Sequence, residues 1–152
     1  MDSIKEIIEI KGFKHLEENY IRIENEPYMS LTIEALPKDA NDNYLISVCH
    51  YGKQNGDAMR DPEMVFRIVK ITEKKFNKKL SKIEVSEVEK WFPVYFRNDY
   101  MNVEQDVIEK PNLVLKLGDF PRIWNTNIRQ QGFIDKYRKD ILDQEGQPKE
   151  NE

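Results

Sequence analysis

The chain is poor in the residues that build redox and soft-metal sites: it has one cysteine, Cys49, and two histidines, His15 and His50, among 152 residues. A lone cysteine excludes an intramolecular disulfide and a cysteine-rich zinc site. No apolar run reaches the length of a membrane span. A glycine-rich phosphate loop and a serine in a strand-turn-helix elbow are also missing, so no cofactor is expected. The opening residues Met1-Asp2-Ser3-Ile4-Lys5-Glu6 lack a basic region followed by an apolar stretch, which argues against a signal peptide. Taken together these absences predict a chain of the reducing cytoplasm with no membrane association.

What is present is a dense mixture of apolar and charged residues, 39% and 34% of the chain. Aromatic and branched aliphatic residues are too frequent for a disordered chain. The length suits one domain with its own core, predicted over residues 1–142, followed by a polar tail at 143–152. The net charge of −4 opposes general attraction to phosphate backbones, so only a local basic patch could reverse it.

Ser3 and Glu6 have the spacing of a capping box, and Ile4, Ile7 and Ile8 follow at helical spacing, which predicts a helix over residues 3–11 ended by Gly12. Residues 20–23 and 28–36 read as strands. In the second, Met29, Leu31, Ile33 and Ala35 alternate with Ser30, Thr32 and Glu34, the pattern of one wet and one buried face. Residues 37–43 form a turn by composition. Residues 44–51 and 64–71 are apolar nearly throughout and read as central strands. Strands are also expected at 83–85 and 91–96, where Pro93 demands an edge or a bulge, at 103–108, and at 113–117 from the alternation of Leu113, Leu115 and Leu117. Asp119 and Pro121 open a second helix to about residue 131, with Phe120, Trp124 and Ile128 on one face. Gly132 follows, and Ile134, Tyr137 and Ile141 continue at helical spacing. The expected fold is α+β: a mainly antiparallel, twisted sheet of five to six strands with an N-terminal and a C-terminal helix packed on it.

Chemistry concentrates between the two central strands. Asn55-Gly56 is a strong hairpin signal, yet His50, Tyr51, Gln54, Asp57, Arg60, Asp61 and Glu63 crowd around it, as if the connection were longer than a two-residue turn. Asp57, Asp61 and Glu63, with His50 across the hairpin, are candidates for a hard-cation site, since such ions need several converging oxygens. The same aspartates would also satisfy loop amides in Asx-turns. The spacing matches no metal motif. Cys49 and His50 are neighbours on one strand and face opposite sides, which excludes a nucleophile–base pair.

A second concentration is cationic. Lys70, Lys74, Lys75, Lys78, Lys79 and Lys82 accompany one acid, Glu73. These lysines are candidate phosphate contacts, with aromatic residues downstream as candidate stacking platforms. The competing reading is a solvated loop between strands.

Three segments together resemble a small family of uncharacterised bacterial domains associated with plasmids and conjugative elements. They are Met29–Glu34, the run His50-Tyr51 to Gln54–Asp57 and Asp61–Met64, and Trp124–Phe133. The resemblance carries no activity. It implies a mobile-element setting, in which small accessory and counter-defence proteins are common. The expected function is therefore a non-catalytic binding module recognising a protein or, through the lysines, a nucleic acid. Its candidate binding residues are His50, Tyr51, Gln54, Asn55, Asp57, Arg60, Asp61 and Glu63. The alternative is a metal-dependent hydrolase built on His50, Asp57, Asp61 and Glu63.

Overall fold

The computed structural model describes residues 1–146. Six strands, β1 (Ile21–Ile23), β2 (Ser30–Leu36), β3 (Tyr44–Gln54), β4 (Asp57–Asn77), β5 (Lys82–Asn98) and β6 (Val103–Asp106), pair in chain order as one antiparallel meander. Four helices complete the α+β fold: α1 (Asp2–Lys11), α2 (Phe13–Glu18), α3 (Phe120–Gln130) and α4 (Phe133–Glu145). Helix α4 runs past residue 142, where the polar tail was expected to start; residues 147–152 lie outside the described residues.

One face of the sheet is dry because its alternate positions are apolar on every central strand. Leu31 and Ile33 of β2, Ile46 and Val48 of β3, and Met64, Phe66 and Ile68 of β4 meet Ile4, Ile7 and Ile8 of α1, Trp124 and Ile128 of α3, and Phe133 and Ile134 of α4. The opposite face holds a smaller cluster of Leu45, Val65 and Val94, covered by Leu36, Val107 and Ile108.

Several expectations change. Ser3 lies inside α1 rather than capping it: its Oγ donates to the Asn125 carbonyl and its amide to Asn125 Oδ1, so it ties α1 to α3. Glu6 serves as the acceptor for Arg129 and Arg138. Gly12, at φ 87°, links α1 directly to the short helix α2. Residues 113–117 are not a strand; Leu115 is buried and its amide donates to the Pro93 carbonyl, while Leu117 packs half-buried against the main core. Pro93 lies beside a bulge, since Val65 opposes Tyr95 and Phe66 opposes Pro93, leaving Val94 as the additional residue.

The lysine-rich segment is not a loop. It forms the distal halves of β4 and β5, which pair without interruption to Asn77↔Lys82. Pairing of β3 with β4 stops at Ile68, and pairing of β6 with β5 starts only at Tyr95. Beyond Lys70 the two strands therefore continue as a two-stranded arm with no neighbour on either edge. Its apolar residues Phe76, Ile83 and Val85 are each 63% exposed.

On the outer face, Arg67 is buried and forms an ion pair with Asp39, at 2.7 Å from Nε to Oδ2. Its remaining nitrogens donate to the carbonyls of Ile108, Pro111 and Leu113. This side chain fastens the 37–43 turn and the 107–117 segment to β4. Burial opposes ionisation of Asp39, but hydrogen bonds from Asn43, Arg67 and Asn41 outweigh it and hold the carboxyl below its usual range.

Candidate functional site

The hairpin between β3 and β4 is a two-residue turn after all. Asn55 and Gly56 both have positive φ, 51° and 86°, and Gln54 pairs with Asp57. The residues thought to lengthen the connection belong to the ladder itself. Cys49 opposes Glu63 and Tyr51 opposes Arg60, so His50 faces two residues, Asp61 and Pro62. This is a bulge, a device that re-aims side chains near sites. Pro62 has no amide hydrogen to lose at such a position.

The bulge and the pleat divide the candidate residues three ways. His50 and Asp61 face the helices. Tyr51, Arg60 and Glu63 face the other side. Gln54, Asn55 and Asp57 sit exposed at the hairpin tip, and no side-chain hydrogen bond of Asp57 occurs among the described residues. The Asx-turn role foreseen for Asp57 is therefore absent. The carboxylates foreseen as a cation site do not converge either: among the described residues, no three His, Cys, Asp or Glu side chains are placed to hold a metal ion. The physical reason is the period of two along β4, interrupted by the bulge, which sends Asp61 and Glu63 to opposite faces.

On the outer side, Arg60 donates from Nε and Nη2 to the two oxygens of Asp99 and from its amide to Asp99 Oδ2, at 2.8–3.1 Å. Its Nη1 reaches Glu63 at 3.2 Å, and Glu63 accepts from Ser47. Arg97 closes the network onto Asp99 at 2.7 Å. The Arg60 guanidinium, aided by Arg97, holds the Asp99 carboxyl well below the usual carboxylate range, although burial opposes the shift. Beneath this network, burial pushes the Cys49 thiol up to about 12, with the nearby Glu63 charge adding to it. A thiol so suppressed is not a nucleophile. The network is a brace joining β4 to the β5–β6 turn.

On the helix side, a cleft of about 700 Å³ opens between the sheet and α3. Met29, His50, Asp61, Phe96 and Asn98 form one wall, and Phe120, Trp124, Asn127 and Gln131 the other. Phe120, Trp124, Asn127 and the C-cap residue Gln131 recur at intervals of four, three and four, so they share one helical stripe. His50 packs between Trp124, at 5.6 Å between ring centres, and Phe133, at 5.5 Å. Phe120 stacks on Trp124 at 6.0 Å.

The polar groups of this cleft are only partly spent. His50 Nδ1 lies 3.3 Å from the carbonyls of both Met29 and Ser30, so it must carry the proton and donate. Burial pushes the His50 pKa below its ordinary value and keeps the ring neutral. Nε2 is then a bare acceptor, with no protein partner among the described residues. Asp61 Oδ1 accepts from Asn98 Nδ2 at 2.7 Å, which leaves its second oxygen available. Trp124 Nε1 is a buried donor without an acceptor among the described residues, a costly state for an N–H group.

A second hollow, of about 620 Å³, lies beneath α1 and α2 and is lined by Lys5, Lys38, Asp42, Tyr44, Glu89 and Trp91. Four of its charged groups are matched, while Glu9 and Lys70, which also line it, form no ion pair among the described residues. Lys5 pairs with Glu89 and lies over Trp91, while Lys38 pairs with Asp42 and lies over Tyr44.

Sequence reasoning thus located two residues of the cleft, His50 and Asp61, and missed Asn98, Asn127, Gln131 and the donor on Trp124. The missing signal was partly at hand. The segments Met29–Glu34, His50–Met64 and Trp124–Phe133 each supply residues to this one cleft. No similar curated protein and no similar solved structure was found. The model of the family described as "Domain of unknown function (DUF6908)" matches residues 2–134, and the chain belongs to that family.

Proposed function

We propose that the protein is a non-catalytic binding module whose α3 cleft takes a segment of a protein partner. The observation that carries this reading is the set of unspent polar groups around an aromatic floor. His50 Nε2 and the second oxygen of Asp61 are acceptors, and the side-chain amides of Asn127 and Gln131 are both donors and acceptors. Such a mixture complements peptide groups, which present one donor and one acceptor per residue. The floor of Trp124, Phe120 and Phe96 and the exposed rim of Tyr28, Met29 and Met101 suit an apolar anchor side chain, since aromatic residues and methionine are enriched where proteins dock. The cleft volume falls within the roughly 300–1,000 Å³ of ligand pockets. A bacterial mobile-element setting, with an accessory or counter-defence role, belongs to the same proposal and rests on the three segments that carry the resemblance. The hydrolase alternative gains no support, because its four residues are dispersed.

The test is selection from a displayed library of short random peptides, with Trp124 fluorescence as the direct readout. Selected peptides should perturb the emission. They should lose roughly tenfold or more in affinity on Asp61→Ala or Asn127→Arg, equivalent to about 1.4 kcal/mol or more. Peptides that bind both variants as tightly as the parent protein would remove the cleft from consideration.

A further inference from the structure

The β4–β5 arm carries a different kind of surface. Residues 74–82 contain Lys74, Lys75, Lys78, Lys79 and Lys82 and no acidic residue, on a chain of net charge −4. The lysine ion pairs among the described residues involve Lys5, Lys38, Lys90 and Lys136, so none of the arm's five tip cations is neutralised. The acids of the arm lie at or behind this tip: Glu73 pairs with Lys90, Glu84 opposes Lys75 and accepts from Asn77, and Glu87 opposes Thr72, so the excess of positive charge is at the tip. Charge on a free sheet edge also guards against strand addition. That purpose is met by either sign, and it does not explain five cations gathered at one end.

We propose that this arm binds duplex DNA by lying in the major groove. A two-stranded ribbon is one of the two protein elements that the major groove, about 12 Å wide, admits. Residues 70–77 span about 27 Å at 3.4 Å per residue, enough to cross the groove and reach both backbones. The pairing puts Lys74, opposite Val85, on one face of the ribbon. Lys75 and Lys82 are on the other, and Lys78 and Lys79 are in the turn. Cations on both faces call for an occupant with anionic walls on both sides. A groove supplies them, whereas a bilayer surface lies on one side only. Phe76, which opposes Ile83, and Leu80 in the turn are exposed between these lysines. Apolar side chains in that position meet thymine methyl groups or wedge between base steps.

The experiment is fluorescence anisotropy of the full chain with a labelled mixed-sequence duplex of about 25 base pairs, over a salt series. Neutralising about five phosphates should give a log–log salt slope near −4.5. Replacing Lys74, Lys75, Lys78 and Lys79 together by Gln should weaken binding at low salt by at least about 30-fold and flatten the slope by about 3–4. The four positions contribute nothing to the core, so an unchanged melting temperature confirms that the variant is folded; a variant that fails to fold is replaced by Lys78→Gln with Lys79→Gln in the turn, which should flatten the slope by about 2. Three results would each overturn the proposal: no DNA binding at low salt, a folded variant that binds as the parent does, or equal binding to an RNA duplex, whose major groove is too narrow to admit the ribbon. Capture by vesicles containing phosphatidylserine, without DNA binding, would also overturn it and assign the arm to membranes. The cleft plays no part in this assay, so either proposal can fail while the other stands.

Discussion

Asp99 accepts hydrogen bonds from two arginines and a backbone amide, while Asp57 accepts none among the described residues, and the two aspartates should respond oppositely to replacement. Asp57→Ala should leave stability within about 0.5 kcal/mol, as surface changes do. Asp99→Ala removes the shared acceptor of two guanidinium groups, leaving Arg60 with Glu63 and Arg97 with Glu104, and should cost about 2 kcal/mol. The folded pKa of Asp99 is depressed, so its contribution is present above the unfolded value, about 3.9, and is lost as pH falls through the folded value. The gap in denaturant midpoint between the protein and its Asp99→Asn variant should therefore narrow from pH 7 to pH 3 without closing, because the depressed folded carboxyl keeps its charge after the unfolded one begins to protonate. The His50 pKa is lowered too, which for a base favours the neutral form. The unfolded chain therefore binds a proton near pH 6.5 that the folded chain refuses, and stability falls as pH drops below that value. His50→Gln should remove this part of the pH dependence between pH 7 and 5. A variant with the parent's slope would show that another group titrates there.

At the level of elements, the strands were legible where one face is dry. Leu31 and Ile33, or Met64, Phe66 and Ile68, alternate because every second position meets the helices. The arm was not legible, since a ribbon wet on both faces has no apolar period and its lysines read as a loop. Leu113, Leu115 and Leu117 misled in the opposite sense: they alternate, but only Leu115 is buried, and its amide is spent on Pro93. The site was legible by half. His50 and Asp61 stood out because polar residues between apolar strands are rare, whereas Asn98 and Trp124 enter the cleft through contacts 37 or more positions away. The Arg67–Asp39 pair was hidden for the same reason. Both partners are 3% exposed, so Arg67→Ala leaves an unpaired buried carboxylate and should cost about 3–5 kcal/mol. Replacing both, Arg67→Met with Asp39→Leu, should cost less than the sum of the single changes. Strict additivity in denaturant midpoints would mean that the two side chains do not act as a pair.

Across the whole molecule, the main core joins the first turns of the chain to the last. Ile4, Ile7 and Ile8 of α1 share one cluster with Ile134, Tyr137 and Ile141 of α4, through the sheet and α3. No helix among the described residues is long and apolar enough to cross a membrane. The family match ends at residue 134, yet Tyr137 and Ile141, 8% and 9% exposed, belong to the core beyond it. Burying each large apolar side chain stabilises by roughly 1.5–3 kcal/mol. A chain ending at Ile134 should therefore lose about 3–6 kcal/mol, a large share of the roughly 5–15 kcal/mol by which a domain is stable. Tyr28 would lose order with it, because its ring lies 6.3 Å from that of Phe133, which would no longer be held in a helix. The loss should be global, because a cluster shared by all layers unfolds as a unit. Far-ultraviolet dichroism and the fluorescence of Trp91 and Trp124 should give one coincident transition for the full chain. For the truncated chain, one coincident transition should remain at a much lower temperature. If dichroism were retained while Trp124 fluorescence melted early, α3 would unfold separately from the sheet, and the cleft it forms would be a docked helix rather than part of a single core.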